Sequence, residues 1–292
     1  ERVYRGNSIV GSNPTLSAKF MAKQILNIIK KKIRLFTEYP LVKIEDQLVD
    51  NNSNNKIPNK VYQTWESSFL GKTHAKSVKK FRNLNPDLSF YLFDKDKRDG
   101  YMKSNWQGKL ISDIYFNSIF GPMKSDIFRY CILYEFGGYY FDIAKACSIP
   151  LNELHEKDDT GILTYEDNDF FYPPEDKLLF ELKRPFNYFL QWGLGFAPKH
   201  QFLNQLIADI ESNYHLYKKK LFINPKLAIL NFTGSGAYTK VMRKYLANEG
   251  ISNFSELDIK FDDKGIFKLK GASVRHYIVP SYTYAKNSII CD

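Results

Sequence analysis

Cysteine is scarce in this chain. The three present, Cys131, Cys147 and Cys291, are odd in number and lack C-x-x-C spacing, which argues against a disulfide framework or a zinc knuckle and for a reducing compartment. Long apolar runs are also missing, since none approaches the roughly 20 residues that cross a bilayer as a helix. Acidic residues are outnumbered, 32 Asp and Glu against 42 Lys and Arg. No RNA- or DNA-binding motif accompanies that surplus, so nucleic acid is not an expected partner. Aromatic residues, by contrast, are plentiful. With 20 Tyr, 23 Phe and 43% hydrophobic residues over 292 positions, the chain has the material for a large α/β core and is not disordered. Most of those rings must fill the core, and some are available as stacking surfaces.

The positive charge is unevenly spread. Residues 1–60 hold 11 Lys and Arg against 5 Asp and Glu, so six of the ten net charges fall in about the first fifth. There Met21, Ile25, Ile28, Ile29 and Phe36 share one helical face, and Lys19, Lys23, Lys30 and Arg34 the opposite one. Such a basic amphipathic helix either rests on an anionic membrane surface through residues 16–36 or covers the rest of the protein with its apolar face. Lys32 interrupts the apolar stripe, which favours packing. The polar run Asp50 to Asn55 reads as a linker. The expected division is therefore a helical extension with linker over 1–56 and a catalytic domain over 57–292.

The most informative stretch is Lys124 to Asp142. Met123, Ile127, Tyr130, Cys131 and Tyr134 recur at helical spacing and gather on one face. Asp126 and Arg129, three apart, are neighbours on that helix. Gly137 and Gly138 supply its stop. Tyr139-Tyr140-Phe141 reads as a short strand covered on both faces, and Asp142 falls where the strand leaves the sheet. Ligands of open α/β sheets bind beyond the carboxyl ends of strands, which makes Asp142 a candidate site residue. A surface ion pair, an ordinary cap and a turn-forming aspartate would give the same letters.

Ser125-Asp126-x-x-Arg129-Tyr130 followed by Gly137-Gly138-x-Tyr140-x-Asp142 resembles the signature of glycosyltransferases of the DXD sugar-binding type, the Och1-like and capsular polysaccharide synthesis family, and more distantly the glucosylating clostridial toxins. Ile57 to Trp65 is similar to that family's opening strand, Asn85-Pro86-Asp87 through Asp94 to a second segment, and Thr233 to Ala237 to a late turn. His276 through Tyr282 is similar to its H-x-x-x-x-S-W ending, with Tyr in place of Trp. The resemblance implies a GT-A fold, a Rossmann-like mixed sheet flanked by helices. It implies a hexosyltransferase moving sugar from a UDP- or GDP-sugar to a glycan or lipid-linked glycan acceptor, with retention of configuration. It further implies that Asp126, Arg129 and Asp142 are catalytic, and that Trp65, Tyr130, Gly138, Ser281 and Tyr282 join them at the donor. Mn²⁺ or Mg²⁺ would sit at Asp142 and His276, hard cations preferring oxygen ligands.

One letter departs from the pattern. The second aspartate is expected at 144, and Ala144 stands there. An inactivating substitution, a metal-independent branch with Lys145 neutralising phosphate, and a protein that binds sugar nucleotides without turning them over all remain open. The expected placement is cytoplasmic at the inner face of a membrane, with the Golgi lumen as the alternative if an N-terminal anchor has been removed. Among the remaining elements, helices are predicted over 73–83, 110–120, 150–156, 202–217, 227–230 and 237–246. Strands are predicted over 61–65, 88–93, 161–165, 191–196 and 274–277. Asp94 reads as a helix cap. Glu166, Asp167 and Asp169 follow the 161–165 strand, either near an acceptor or in a solvated loop.

Overall fold

The computed structural model describes residues 14–50, 54–169, 181–277 and 288–291, the side chains of 14–20 and 275–277 excepted. Ser281, Tyr282 and the imidazole of His276 therefore lie outside the described residues. The order is α1 (Pro14–Thr37), β1 (Val42–Lys43), β2 (Lys60–Thr64), β3 (Phe69–Leu70), α2 (Lys72–Asn83), β4 (Ser89–Phe93), α3 (Lys95–Trp106), α4 (Leu110–Asn117), α5 (Gly121–Phe136) and β5 (Gly138–Phe141). There follow β6 (Ala146–Cys147), β7 (Gly161–Asp169), β8 (Asn187–Phe189), β9 (Gly193–Phe196), α6 (Gln201–Tyr217), α7 (Pro225–Phe232), α8 (Ser235–Glu249), β10 (Phe254–Ile259) and β11 (Gly265–Ile266).

Among the described residues a seven-stranded mixed sheet runs in the order β10-β7-β9-β5-β2-β4, with β8 beside β7. β2 is parallel to β4 and β5, and β7 to β10, while β9 lies antiparallel between β5 and β7. Consequently β2, β4, β5, β7 and β10 all point one way and leave their carboxyl ends on a single edge. This is the α/β sheet with flanking helices that the sequence predicts.

Side chains alternate across the sheet and feed two cores. Val61, Phe90, Tyr139 and Phe141 enter one with α2 residues Ala75, Val78 and Phe81. Tyr62 and Tyr140 enter the other with Ile127, Phe128 and Tyr130 of α5, Leu206 of α6 and Tyr238 of α8. β5 is buried along its whole length, as its run of aromatics implies. The glycine pair before it is required by geometry. Gly137 and Gly138 have φ of +61° and +99°, and a Cβ on Gly138 would lie 2.4 Å from the Lys60 carbonyl oxygen. No L side chain fits that combination, and β5 can approach β2 only because none is there.

Several expectations change. Val274 to Tyr277 is part of a 3-10 turn, Ala272–Tyr277, not a strand, and the helix expected over 150–156 is the single turn Leu151–Glu153. The strand expected over 191–196 begins at Gly193, which frees Gln191 and Trp192 for the loop before it. Residues 42–49, assigned to the extension, are woven into the sheet unit. Val42 pairs with Leu70, Gln47 bridges Phe90, and Asp46 accepts from the Leu92 amide at 2.8 Å. The apolar face of α1, expected to pack, is largely exposed. Met21, Ile25, Ile28, Ile29 and Phe36 are between 47% and 82% exposed.

Candidate functional site

α5 lies over the face of β5 from which Tyr140 points, and by the two-residue period Asp142 points the same way. That places the helix's Asp126 and Arg129 directly against the strand's tip. An Arg129 terminal nitrogen (Nη2) stands 3.1 Å from Asp126 Oδ1 and 3.2 Å from Asp142 Oδ1. Its other donors go to the Gln191 carbonyl at 2.8 Å and the Ser125 carbonyl at 3.3 Å. The guanidinium also lies 4.5 Å from the centroid of the Tyr140 ring, whose hydroxyl donates to Asp142 Oδ1 at 3.2 Å. The three residues singled out in the sequence are thus one hydrogen-bonded cluster. The exposed-pair reading fails, since Asp126 and Arg129 are 6% and 5% exposed.

Exposure divides the cluster into a floor and an opening. Asp142 has a side chain 33% exposed, so it is the group that meets solvent. Beneath it, Asp126 accepts from Thr233 Oγ1 at 3.0 Å and from Gln191 Nε2 at 3.3 Å. Tyr130, expected at the donor, is fully enclosed. Its hydroxyl donates to the Thr233 carbonyl at 2.7 Å and takes a bond from Gln191, so it acts on the cluster from below. Gly138 is a backbone requirement of the sheet and is likewise buried. The Thr233-Gly234-Ser235-Gly236 segment is no open turn but the tight junction between α7 and α8, with Thr233 locked into the floor.

Burial pushes the Asp126 carboxyl up from 3.8 to about 7, against the pull of Arg129 and Thr233. Burial by itself would lower the Arg129 guanidinium, but Tyr140, Asp142 and Asp126 together hold it above its ordinary value, so it stays charged. The consequence for stability has a definite sign. A carboxyl whose folded pKa exceeds its unfolded one contributes fully below pH 3.8, and the contribution is lost as pH rises towards about 7. Urea unfolding of the wild type should therefore show stability falling across that window. In Asp126→Asn the slope should flatten.

Other strands deliver residues to the same edge. Trp65 follows β2 directly and is half-buried. Its corner is anchored by Arg98, 1% exposed, which donates to Thr64 Oγ1 at 3.0 Å and to the Tyr115 hydroxyl at 2.9 Å. Asp94 caps α3 by accepting from the Lys97 amide at 3.1 Å, as expected. Glu166, within β7, has its carboxyl raised, first by burial and also by Asp142, while Asn168 and Lys145 draw it down. Glu166 is thus electrostatically part of this edge, while Asp167 pairs with Lys260. Thr233 lies in the late turn that the resemblance marks, and Gln191 and Trp192 begin the stretch expected as a strand over 191–196, but none of the three is among the candidate site residues of the sequence. Their place beside the cluster is a long-range fact, as Gln191 is 65 positions from Asp126 and Thr233 is 107.

Among the described residues the donor set does not fit a protein-held divalent ion. Among the described residues no three His, Cys, Asp or Glu side chains come together as metal ligands. Asp142 is a single carboxylate already bonded to Arg129 and Tyr140, and Ala144, 1% exposed within the apolar core, has no ligand atom.

Residues 71–160, which include α2, α5, β5 and Asp142, match the family described as glycosyltransferase sugar-binding region containing DXD motif. The chain is 26% identical over 168 residues to inositol phosphoceramide mannosyltransferase 1 of Schizosaccharomyces pombe, covering 56% of this chain and 46% of that protein. It is 28% identical over 211 residues to the initiation-specific alpha-1,6-mannosyltransferase of Candida albicans, covering 66% and 54%. Among solved structures it is similar to the PaToxG glycosyltransferase, with a TM-score of 0.48, 14% identity, and 78% and 80% of the two chains covered. The chain spans about half the length of the two curated relatives. Residues 71–160 thus resemble the DXD sugar-binding region of such transferases, with alanine where the second aspartate is expected.

Proposed function

We propose that this protein transfers a hexose from a nucleotide diphosphate sugar to an acceptor hydroxyl. The observation that carries the reading is the Asp126–Arg129–Asp142 cluster, buried below and open only at Asp142, on the sheet edge from which Trp65 also emerges. Asp142 would grip the donor, Trp65 would lie on the base, and Arg129 and Asp126 would hold Asp142 in place. The bond from the anomeric carbon to phosphate breaks and one to the acceptor oxygen forms. With retention, the leaving phosphate takes the acceptor's proton on the same face. The relatives' names favour mannose as the hexose, hence a GDP-sugar over a UDP-sugar, and a glycan or an inositol phosphoceramide as acceptor.

Calorimetric titration of GDP- and UDP-sugars, with and without Mn²⁺, tests the reading. Saturable binding of at least one is expected, and no binding of any would remove it. A second reading, binding without turnover, is favoured by Ala144. Donor hydrolysis by the wild type and by Ala144→Asp separates the two, because silence of both alongside tight binding points to a binder.

The α1 helix supports a lipid-side acceptor. No helix among the described residues is long and apolar enough to cross a membrane. An exposed face of Ile25, Ile28, Ile29 and Phe36 backed by Lys23, Lys30 and Arg34 nevertheless suits an anionic bilayer surface, where each basic residue adds about 1 kcal/mol. The full chain is expected to co-sediment with vesicles containing anionic lipid and to be released by salt. Replacing Ile25 and Ile29 by glutamate should abolish this, and equal binding to neutral vesicles would count against it.

A further inference from the structure

The turn after β5 is unusually well fixed. The Lys145 amide donates to the Asp142 carbonyl at 2.8 Å, closing the turn, and the Asp142 amide donates to the Trp192 carbonyl at 2.9 Å. The two carbonyls between are taken as well. His74 Nε2 donates to that of Ile143 at 2.8 Å, and the Leu269 amide to that of Ala144 at 2.8 Å. From this frame two charges project, three residues apart: the Asp142 carboxylate and the Lys145 ammonium. The ammonium is seated on aromatic rings, 3.2 Å from the Phe267 centroid and 4.9 Å from that of Trp192. Ala144, between them, turns into the apolar core with Ile143.

A diphosphate brought to this edge meets the acids Asp142 and Glu166, and because the buried Arg129 is already shared between Asp126 and Asp142, a further cation is needed to offset the repulsion. Where the motif has a second carboxylate, a divalent ion can be that cation. Among the described residues the donor set for one is lacking, and a lysine on a pinned turn stands beside Asp142. We propose that Lys145 binds the diphosphate of the donor and supplies the charge that the leaving phosphate requires, so that donor binding proceeds without a divalent ion. The inference rests on the donor-site reading above and deepens it. An ammonium is a compact point charge suited to phosphate. Its seat on Phe267 and Trp192 leaves less side-chain freedom to lose on binding. Lys260, 5.8 Å from the centroid of the same Phe267 ring, is paired with Asp167, which leaves Lys145 as the ammonium set against Asp142.

The test is calorimetry on the full chain in EDTA, with GDP, UDP, their sugars, and guanosine and uridine as phosphate-free controls. Wild type is expected to bind a nucleoside diphosphate in EDTA. Lys145→Met should weaken that binding by roughly tenfold or more, the scale of one charge-assisted hydrogen bond, and leave nucleoside binding unchanged. Lys145→Arg should keep it within a few-fold, and Lys145→Gln, which retains a polar head, serves if the methionine variant does not fold. Undiminished diphosphate binding by the methionine or glutamine variant would overturn the inference and leave the donor site standing. So would wild-type binding that appears only with Mn²⁺. If wild type binds no nucleotide under either condition, the donor-site reading itself is lost and this inference with it.

Discussion

Arg129→Met is expected to lower the free energy of unfolding by roughly 3–5 kcal/mol, the cost of stranding a buried charge by removing its partner. The side chain is 5% exposed and bonds to Asp126, Asp142, Gln191 and Ser125. Methionine fills part of the volume but leaves the Asp126 carboxyl without its cation and the Gln191 carbonyl without its donor. Because that carboxyl can escape only by keeping a proton, the loss should be larger at pH 8 than at pH 5, which urea titrations at the two values would show. Adding Asp126→Asn to Arg129→Met should recover part of the loss, since removing both charges of a buried pair costs less than removing one. An equal deficit in the single and double variants would mean that the guanidinium contributes by packing alone.

Asp142→Asn should show the opposite division. Its carboxylate is a third exposed and Arg129 keeps Asp126 as a partner, so stability should change by under about 1 kcal/mol. Donor affinity should fall by about 10- to 100-fold, the scale of one charge-assisted hydrogen bond to a sugar or ribose hydroxyl. Thermal melts and nucleotide-sugar calorimetry on one preparation check both halves. A variant that melts as wild type does and binds donor equally well would place Asp142 outside the ligand's reach.

Much of this site is written in short-range spacing. A helix read from Met123, Ile127, Tyr130 and Cys131, a glycine stop and an aromatic strand ending in Asp142 all fold as spaced, because helix period and strand alternation act over a few residues. The same spacing says nothing about what covers a face. α1 has the pattern of a helix that packs, yet its apolar side is exposed, and Tyr130 has the pattern of a site residue yet is enclosed. Residues 42–49 read as part of an extension, yet they add a bridge and a side-chain cap to β4 through Gln47 and Asp46.

By itself the sequence determined the α/β class, the helix and strand on which Asp126, Arg129 and Asp142 stand, and the missing carboxylate at Ala144, for these follow from residue type and local spacing. Only the tertiary structure decided that Gln191 and Thr233 complete the floor, that Asp142 is the exposed member, and that Lys145 is seated on Trp192 and Phe267. Those pairings join segments 47 to 122 residues apart, or 65 to 107 in the floor. No periodicity records such distances. The sheet order imposes them when it brings β5, β9 and the α7–α8 junction together.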